Sequence, residues 1–208
     1  MDSDVTQTVA EFVEQTMGRE SYQFICAVVA NCKMLALELD EEEAGQLDMD
    51  ALVMAAYLHN ISTGEYGYQE HHIKSAEMAV DFLGELDVPA ERIAKVEQAI
   101  LIHTSRVPPE QREAGPIEGR VLFDADKLGR LSGLAVVTSL IEFGARYPNR
   151  AVTGEVLAAI LRHIEERFVE LYQSLHTAPA REMARSKFGN TLAFLDGVIE
   201  HLSDATPV

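Results

Sequence analysis

The stretch that decides the fold is Ala51-Leu52-Val53-Met54-Ala55-Ala56-Tyr57-Leu58-His59-Asn60, an apolar helical run that ends on an imidazole and an amide. A second informative stretch, Phe123-Asp124-Ala125-Asp126-Lys127-Leu128, carries two carboxylates two positions apart. Helix ends that bear imidazole or carboxylate can hold a divalent metal ion when the fold brings them together. The two stretches therefore predict a buried helix whose carboxyl end borders a polar site.

The rest of the chain has the same helical periodicity. Apolar residues recur at spacings of three and four, and no sustained period-two stretch is bounded by hairpin turns, so we predict an all-α fold. Ser62–Tyr68 is expected to be a loop that lines a site, and Val107–Pro116 a lid or a plain connector, of which the connector is the simpler interpretation. The predicted helices are Val5–Met17, Phe24–Leu39, Ala51–His59, His72–Leu86, Ala90–His103, Glu118–Arg146 with a bend near Gly129 and Gly133, Thr153–Leu175 and Pro179–Leu202.

Length and charge narrow the class of protein. A chain of 208 residues suits one well-buried domain, and its net charge of -17 argues against nucleic-acid binding, which needs clustered Lys and Arg. No segment has the form of a secretory signal or the apolar length of a membrane span, so we expect a cytoplasmic protein without membrane contact. Cys26 and Cys32 are expected to be reduced.

Histidines mark three predicted helix ends. His59 ends one helix, His72 begins the next and His103 ends the one after, while Asp124 and Asp126 lie near the start of a fourth. The ends of successive antiparallel helices meet at one edge of a bundle, so these side chains could converge. Taken singly, each has a simpler interpretation, because histidines often cap helix C-termini and aspartates often cap N-termini.

The motif order resembles the HD-domain superfamily of metal-dependent phosphohydrolases. The resemblance implies an HD-type helical bundle in a single domain over residues 1–208, with a motif region at about 21–145 and supporting C-terminal helices at about 153–203. The tail resembles small bacterial HD hydrolases whose relatives cleave nucleotide phosphoanhydrides. The motifs that carry the likeness are His59-Asn60, a Gly/Tyr loop, His72 with Ser75-Ala76-Glu77, Ala99-Ile100-Leu101-Ile102-His103, Asp124-Ala125-Asp126-Lys127-Leu128, and the tail Ser174-Leu175-His176-Thr177.

The sequence also departs from the family pattern. In the family it resembles, an early histidine, a His-Asp doublet and a later aspartate hold the metal, but Phe24 stands at the early position and Asn60 replaces the doublet's acid. Gly129 replaces a frequent acidic residue, and His59 is the first histidine in the chain. An amide contributes a dipole where a carboxylate contributes a full charge, so these changes predict weakened metal binding.

A metal ion could still be held by a divergent site built from His59, His72, His103 and Asp126. This site would bind one divalent ion, Mn, Fe, Zn, Ni, Co or Mg, and a metal-free protein is the alternative. His71 is expected to be exposed with His72 pointing inward, and Arg112 is expected at the surface. The candidate residues are His59, His72, His103 and Asp126 as metal ligands, Asn60 and Asp124 as weak or outer contributors, Asp126, Lys127 and Arg106 for catalysis, and Lys74 and Tyr66 for substrate binding.

Two functions from different classes follow. The first is an HD-type hydrolase of a phosphorylated small molecule, such as a nucleotide, in which a metal-activated water attacks phosphorus. The second is a catalytically inactive HD-fold protein that binds a ligand or a partner protein. The apolar helices would also suit a homodimer face, although a sequence does not separate core from interface. Metal content distinguishes the two functions most directly.

Overall fold

The computed structural model describes residues 3–129, 131, 133–148 and 153–204, and within these ranges the chain is helical and contains no strand. The predicted all-α fold is confirmed. None of the described helices is long and apolar enough to cross a membrane. The helices are α1 Ser3–Met17, α2 Arg19–Leu37, α3 Glu41–Gln46, α4 Met49–Leu58, α5 Thr63–Tyr66, α6 His71–Glu85, α7 Ala90–Ile102, α8 Pro109–Glu113, α9 Ile117–Leu128, α10 Gly133–Arg146, α11 Gly154–Gln173 and α12 Ala178–Asp204.

The chain divides into two compact units. The first contains the residues up to Asp126 together with His176–Ala180, and the second contains Lys127–Leu175 and the residues from Arg181 onward. In the second unit α10 contacts α11. The expected bend between α9 and α10 includes residues 130 and 132, which lie outside the described residues. A single domain over the whole chain stays a prediction.

Helix α4 is the core of the first unit. It contacts α1, α2, α6 and α7, and α6 packs along α7. Its side chains from Ala51 to Leu58 are buried on every face of the helix, except that Tyr57 is half-buried. Met49 and Asp50, at the start of the helix, are also half-buried. A helix that is apolar all round is stable only inside a core. The apolar run thus fixes where the fold places His59 and Asn60, which follow directly at the end of α4.

Asp48 starts this core helix. Its Oδ1 accepts hydrogen bonds from the N–H groups of Asp50 and Ala51 at 3.1 Å each, and its Oδ2 accepts one from Arg92 Nε of α7 at 2.9 Å. Burial acts to raise the pKa of Asp48, but the Arg92 side chain and the Ala51 N–H hold the pKa below its usual value. Asp48 therefore caps α4 and also links it to α7.

We expect Asp48→Ala to lower the free energy of unfolding by about 1 to 2 kcal/mol, since it removes the cap and the ion pair. Asp48→Asn keeps a capping oxygen and should cost less. The depressed folded pKa gives stability that is present above the unfolded pKa and lost as pH falls through the folded pKa. Urea unfolding between pH 2 and 6 should show a smaller acid loss in Asp48→Asn, and equal slopes would contradict the role of Arg92.

Three short helices lie outside the helices predicted from the sequence. Helix α3 forms in the acidic segment Glu41–Gln46, where the Asp40 side chain accepts from the Glu43 N–H at 2.9 Å. Helix α5 forms in the Gly/Tyr segment, where the carbonyl of Ser62 accepts from Tyr66 N at 2.9 Å. Helix α8 begins at Pro109, a residue that the first helical turn tolerates. Local backbone hydrogen bonds therefore form short helices in segments of flexible composition, and only α3 has a side-chain cap at its start.

Candidate functional site

Three imidazoles meet where α4, α6 and α7 approach one another. His59, His71 and His103 are all buried, with exposed fractions of 0, 8 and 1%. The ring centroid of His103 lies 5.0 Å from that of His59 and 5.1 Å from that of His71, and both pairs are edge-on, at 77° and 84°. We call these three residues the imidazole cluster. It lies entirely within the first unit.

Each ring of the imidazole cluster is oriented by a backbone carbonyl three residues earlier. A carbonyl only accepts, so each Nδ1 must carry the hydrogen and donate it. In the neutral ring the lone pair is then on Nε2, as in histidines prepared to bind a metal. The Nδ1 contacts are His59 to the Ala56 carbonyl at 2.8 Å, His71 to that of Tyr68 at 3.0 Å and His103 to that of Ile100 at 2.5 Å.

Two of these Nε2 atoms face each other. His71 Nε2 and His103 Nε2 are 3.2 Å apart. Because both Nδ1 atoms donate to carbonyls, the contact requires a proton or a cation between the two Nε2 atoms. Two nitrogens bound tetrahedrally to one zinc ion at about 2.0–2.1 Å lie about 3.4 Å apart. The separation is therefore suited to a shared proton or to a shared metal ion.

His71 joins the cluster, so the expectation that His71 is exposed was wrong. Helix α6 begins one residue earlier than predicted and turns His71 toward α7. His72 is half-buried, and its Nδ1 has no hydrogen-bond partner among the described residues. Burial, followed by the charge of Arg106, lowers the pKa of His72. A ligand role for His72 stays a prediction.

Two buried hydroxyls fix the start of α6. Ser62 Oγ donates to the carbonyl of His71 at 3.1 Å and lies 2.9 Å from Ser75 Oγ, which also accepts from the Ser62 N–H at 3.2 Å. Both serines have no exposed surface. Because Ser62 follows His59 and Asn60 so closely, this bonding holds the backbone of His71 near the end of α4.

The two aspartates of α9 have different surroundings. Asp124 accepts from the N–H of His176 at 2.9 Å, and from the N–H and hydroxyl of Thr177 at 2.7 and 2.8 Å. Its carboxylate thus anchors the segment before α12. Asp126 is buried on the same helix with an exposed fraction of 3%. Burial first, then the charges of Asp126 and Asp124, raise the pKa of Cys32 on α2. The role of Asp126 as a ligand stays a prediction.

The family positions that depart from the pattern can now be located. Phe24 is 42% exposed on α2, and this helix contacts α9 further along, where Asn31 Nδ2 donates to the Ala125 carbonyl at 3.2 Å. Asn60 is buried, and its backbone carbonyl accepts from the Thr63 N–H at 3.0 Å. The residues of α2 near α9 are Asn31 and Cys32. Neither is a histidine, so α2 supplies no imidazole in place of the missing one.

The remaining candidates lie at the surface or in the second unit. Arg106 is exposed on the turn after His103, and Tyr66 is 55% exposed. Lys74 makes a 2.8 Å ion pair with Glu77, with 42% of the lysine side chain exposed. Lys127 is buried and belongs to the second unit. The catalytic role of Lys127 and Arg106 and the substrate role of Lys74 and Tyr66 stay predictions.

Arg112 is buried, with an exposed fraction of 3%, so its expected surface position was wrong. Its guanidinium lies over the ring of Phe123, with 4.3 Å from Cζ to the centroid, and hydrogen-bonds three groups around it. No pattern in the sequence predicted this burial, because a charged segment that follows two prolines has the composition of a solvated connector.

The donor chemistry decides which metal would fit. The imidazole cluster offers nitrogen ligands in the tautomer that binds metal, which suits Mn, Fe, Co, Ni or Zn more than Mg. As the side chains stand, no group of three or more His, Cys, Asp or Glu in the described part of the chain surrounds a common metal position. His71 and His103 are therefore the pair that fits an ion, with His59 beside them.

Residues 25–131, just over half of the chain, match the sequence model of the HD domain family. The chain belongs to the HD domain family. Members of this family are hydrolases that are generally metal-dependent. No curated protein matches the sequence. The match contains α4, α6, α7 and α9, and thus the entire imidazole cluster of this HD domain and both aspartates.

Solved structures share the fold of this HD domain protein along nearly its whole length. The Lin1889 protein of Listeria innocua is 15% identical, with 97% of each chain covered and a TM-score of 0.69. Bacillus subtilis YpgQ in complex with ADP is 17% identical, with 94% of each chain covered and a TM-score of 0.67. A predicted HD superfamily hydrolase from an uncultured Thermotogales bacterium is 17% identical, with 95% of this chain and 91% of that chain covered and a TM-score of 0.59. At these identities the likeness concerns the fold.

Proposed function

We propose that this HD domain protein is a hydrolase of a phosphorylated small molecule, a nucleotide in the first instance, and that the imidazole cluster is its reaction centre. One observation carries the proposal. The Nε2 atoms of His71 and His103 face each other at 3.2 Å while both Nδ1 atoms donate to carbonyls. A bundle that needed only a stable core would place apolar side chains there, since such contacts need no compensating charge.

The residues for a divalent ion would be His71 and His103, with His59 beside them and Asp126 as a further candidate from the sequence. When bound, such an ion lowers the pKa of water and so supplies a nucleophile at neutral pH. The carbonyls of Ala56, Tyr68 and Ile100 accept from the three Nδ1 atoms and so orient the rings, which leaves Nε2 as the ligand atom of each neutral ring. The set differs from the one predicted from sequence by the exchange of His72 for His71.

The surroundings of the cluster favour a phosphorylated ligand. Burial, followed by the charge of Arg106, lowers the pKa of His72, while the charge of Glu70 opposes them, so Arg106 brings a cation to this edge of the site. A cation there can neutralise the charge that develops on phosphorus oxygens. Arg106 and His72 would thus contact the phosphate. The nucleotide class is supported by YpgQ, a protein of similar fold crystallised with ADP.

The test is hydrolysis of ATP, ADP and pyrophosphate by the purified protein with Mn, Co, Ni or Zn, measured as released phosphate. We expect metal-dependent turnover that is lost in His103→Ala. Asn60→Asp restores the acid of the family doublet and should raise the turnover or the metal affinity by about tenfold or more, as a full charge replaces a dipole. A protein that binds metal but hydrolyses none of these compounds would contradict the proposal.

The second candidate is a ligand-binding HD-fold protein without catalysis. The observations that favour it are Asn60 in place of an acid, Phe24 in place of a histidine, and the lack of a three-ligand metal group in the described residues. It predicts that the protein binds a nucleotide without turnover, even with Asn60→Asp. The same assay therefore separates the two candidates.

A further inference from the structure

The turn after His103 is held from both ends by one side chain. Arg112 Nη1 donates to the carbonyl of Thr104 at 3.4 Å and to that of Val107. Within the turn, the Val107 N–H donates to the Thr104 carbonyl at 3.2 Å. The turn contains Arg106, which is exposed three residues after His103 of the imidazole cluster. We call residues 104–107 the Arg106 turn.

The opposite side of Arg112 is held by a segment from the far end of the sequence. Arg112 Nε donates to His176 Nε2 at 3.1 Å. A guanidinium nitrogen can only donate, so His176 Nε2 must be the acceptor of this bond. The backbone N–H of His176 donates in turn to Asp124. A chain of hydrogen bonds therefore runs from Asp124 through His176 and Arg112 to the Arg106 turn.

We propose that His176 and Arg112 are positioning residues, which fix the Arg106 turn so that Arg106 faces the phosphate side of the imidazole cluster. The role of Arg106 in phosphate binding rests on the proposed function, whereas the positioning of the turn does not. Residue 176 lies outside the region that matches the HD domain family, 25–131. The site of this chain is thus completed by a segment that the family region does not contain.

Rigid support matters because an exposed arginine on a free turn would sample many positions. Fixing both carbonyls of the turn limits where the Arg106 backbone lies before a ligand arrives, so less ordering is needed on binding. The bonds to Arg112 are charge-assisted, and its burial over Phe123 screens them from water. Loss of the His176 acceptor would leave a buried guanidinium nitrogen without its partner.

The first experiment needs no ligand. Amide hydrogen exchange at Val107 should become about tenfold faster in His176→Ala, because a buried charge-assisted bond is lost. His176→Gln keeps an oxygen that can accept from Arg112 and should restore slow exchange. Exchange in the α4 core, followed in the same samples, should not change. Unchanged exchange at Val107 in His176→Ala, or no rescue by His176→Gln, would overturn the positioning role.

The second experiment asks whether positioning acts through Arg106. Calorimetric titration with ADP should show about tenfold weaker binding for His176→Ala and for Arg106→Gln, and no further loss in the double variant. If His176 had a purely structural role, His176→Ala would weaken ADP binding by the same factor in the wild-type background and in the Arg106→Gln background. Such an additive result would overturn the inference. If wild-type protein binds no ADP while exchange behaves as expected, the proposed nucleotide ligand fails and the positioning of the turn stands.

Discussion

Replacing His71 with alanine is expected to reduce the affinity for transition metals by at least about 100-fold, because the site loses one of its two facing Nε2 ligands. The neighbouring His72→Ala variant should retain most of the affinity, since His72 lies outside the imidazole cluster. Metal bound per protein after dialysis against Zn or Mn, measured by mass spectrometry, gives the comparison directly.

The two variants form a matched pair, because they remove the same side chain at adjacent positions of one helix. His71→Ala should keep its helical content, so that a loss of metal cannot be assigned to unfolding. Equal affinities in both variants would remove His71 from the ligand set. A larger loss in His72→Ala would restore the set predicted from the sequence.

Replacing Asp124 with asparagine is expected to lower the free energy of unfolding by about 2 to 4 kcal/mol. The carboxylate accepts from two backbone N–H groups and the Thr177 hydroxyl, and it is fully buried. An amide keeps one acceptor oxygen and brings a donor toward groups that also donate. Urea unfolding followed by circular dichroism measures the difference.

Asp126→Asn is the control for this prediction, since it makes the same chemical change two residues along the same helix. It leaves the bonds of Asp124 intact, so most of the stability should remain while the metal affinity falls. If Asp126→Asn destabilises the protein as much as Asp124→Asn does, the anchoring role assigned to Asp124 is wrong.

The sequence carried much of the fold because its long helices have a strong apolar period. The run before His59 could belong only to a buried helix, and Asp48 had the spacing of a cap. The short helices α3, α5 and α8 were missed because, with 6, 4 and 5 residues, they are too short to show an apolar period.

The site was predictable in its histidine content but not in its register. His72 with Ala76, Ala79 and Leu83 follows a helical spacing, and His71 with Ser75, Ala79 and Leu83 follows another that is equally good. A shift of one residue turns a side chain by about 100° around a helix, so the two choices differ only in packing. Ser62 and Ser75 decide between them, through hydrogen bonds that only the structure reveals.

Buried polar groups were the other source of error. Arg112 has a charge that is usually solvated, and only contact with Phe123 and His176 makes its burial favourable. Asp124 and Asp126 have the same chemistry two positions apart, and only the family resemblance separated them, by implying Asp126 as the ligand. Long-range partners distinguish them, because Thr177 lies more than fifty residues further along the chain.

The most direct test of the central claim is a crystal structure of the protein grown with Zn or Mn, with data collected at the absorption edge of the metal. The account predicts an anomalous peak at the imidazole cluster, about 2.0 to 2.3 Å from the Nε2 atoms of both His71 and His103. A peak coordinated by His72 would contradict the account. Crystals grown with the metal that show no anomalous peak at the cluster would contradict it as well.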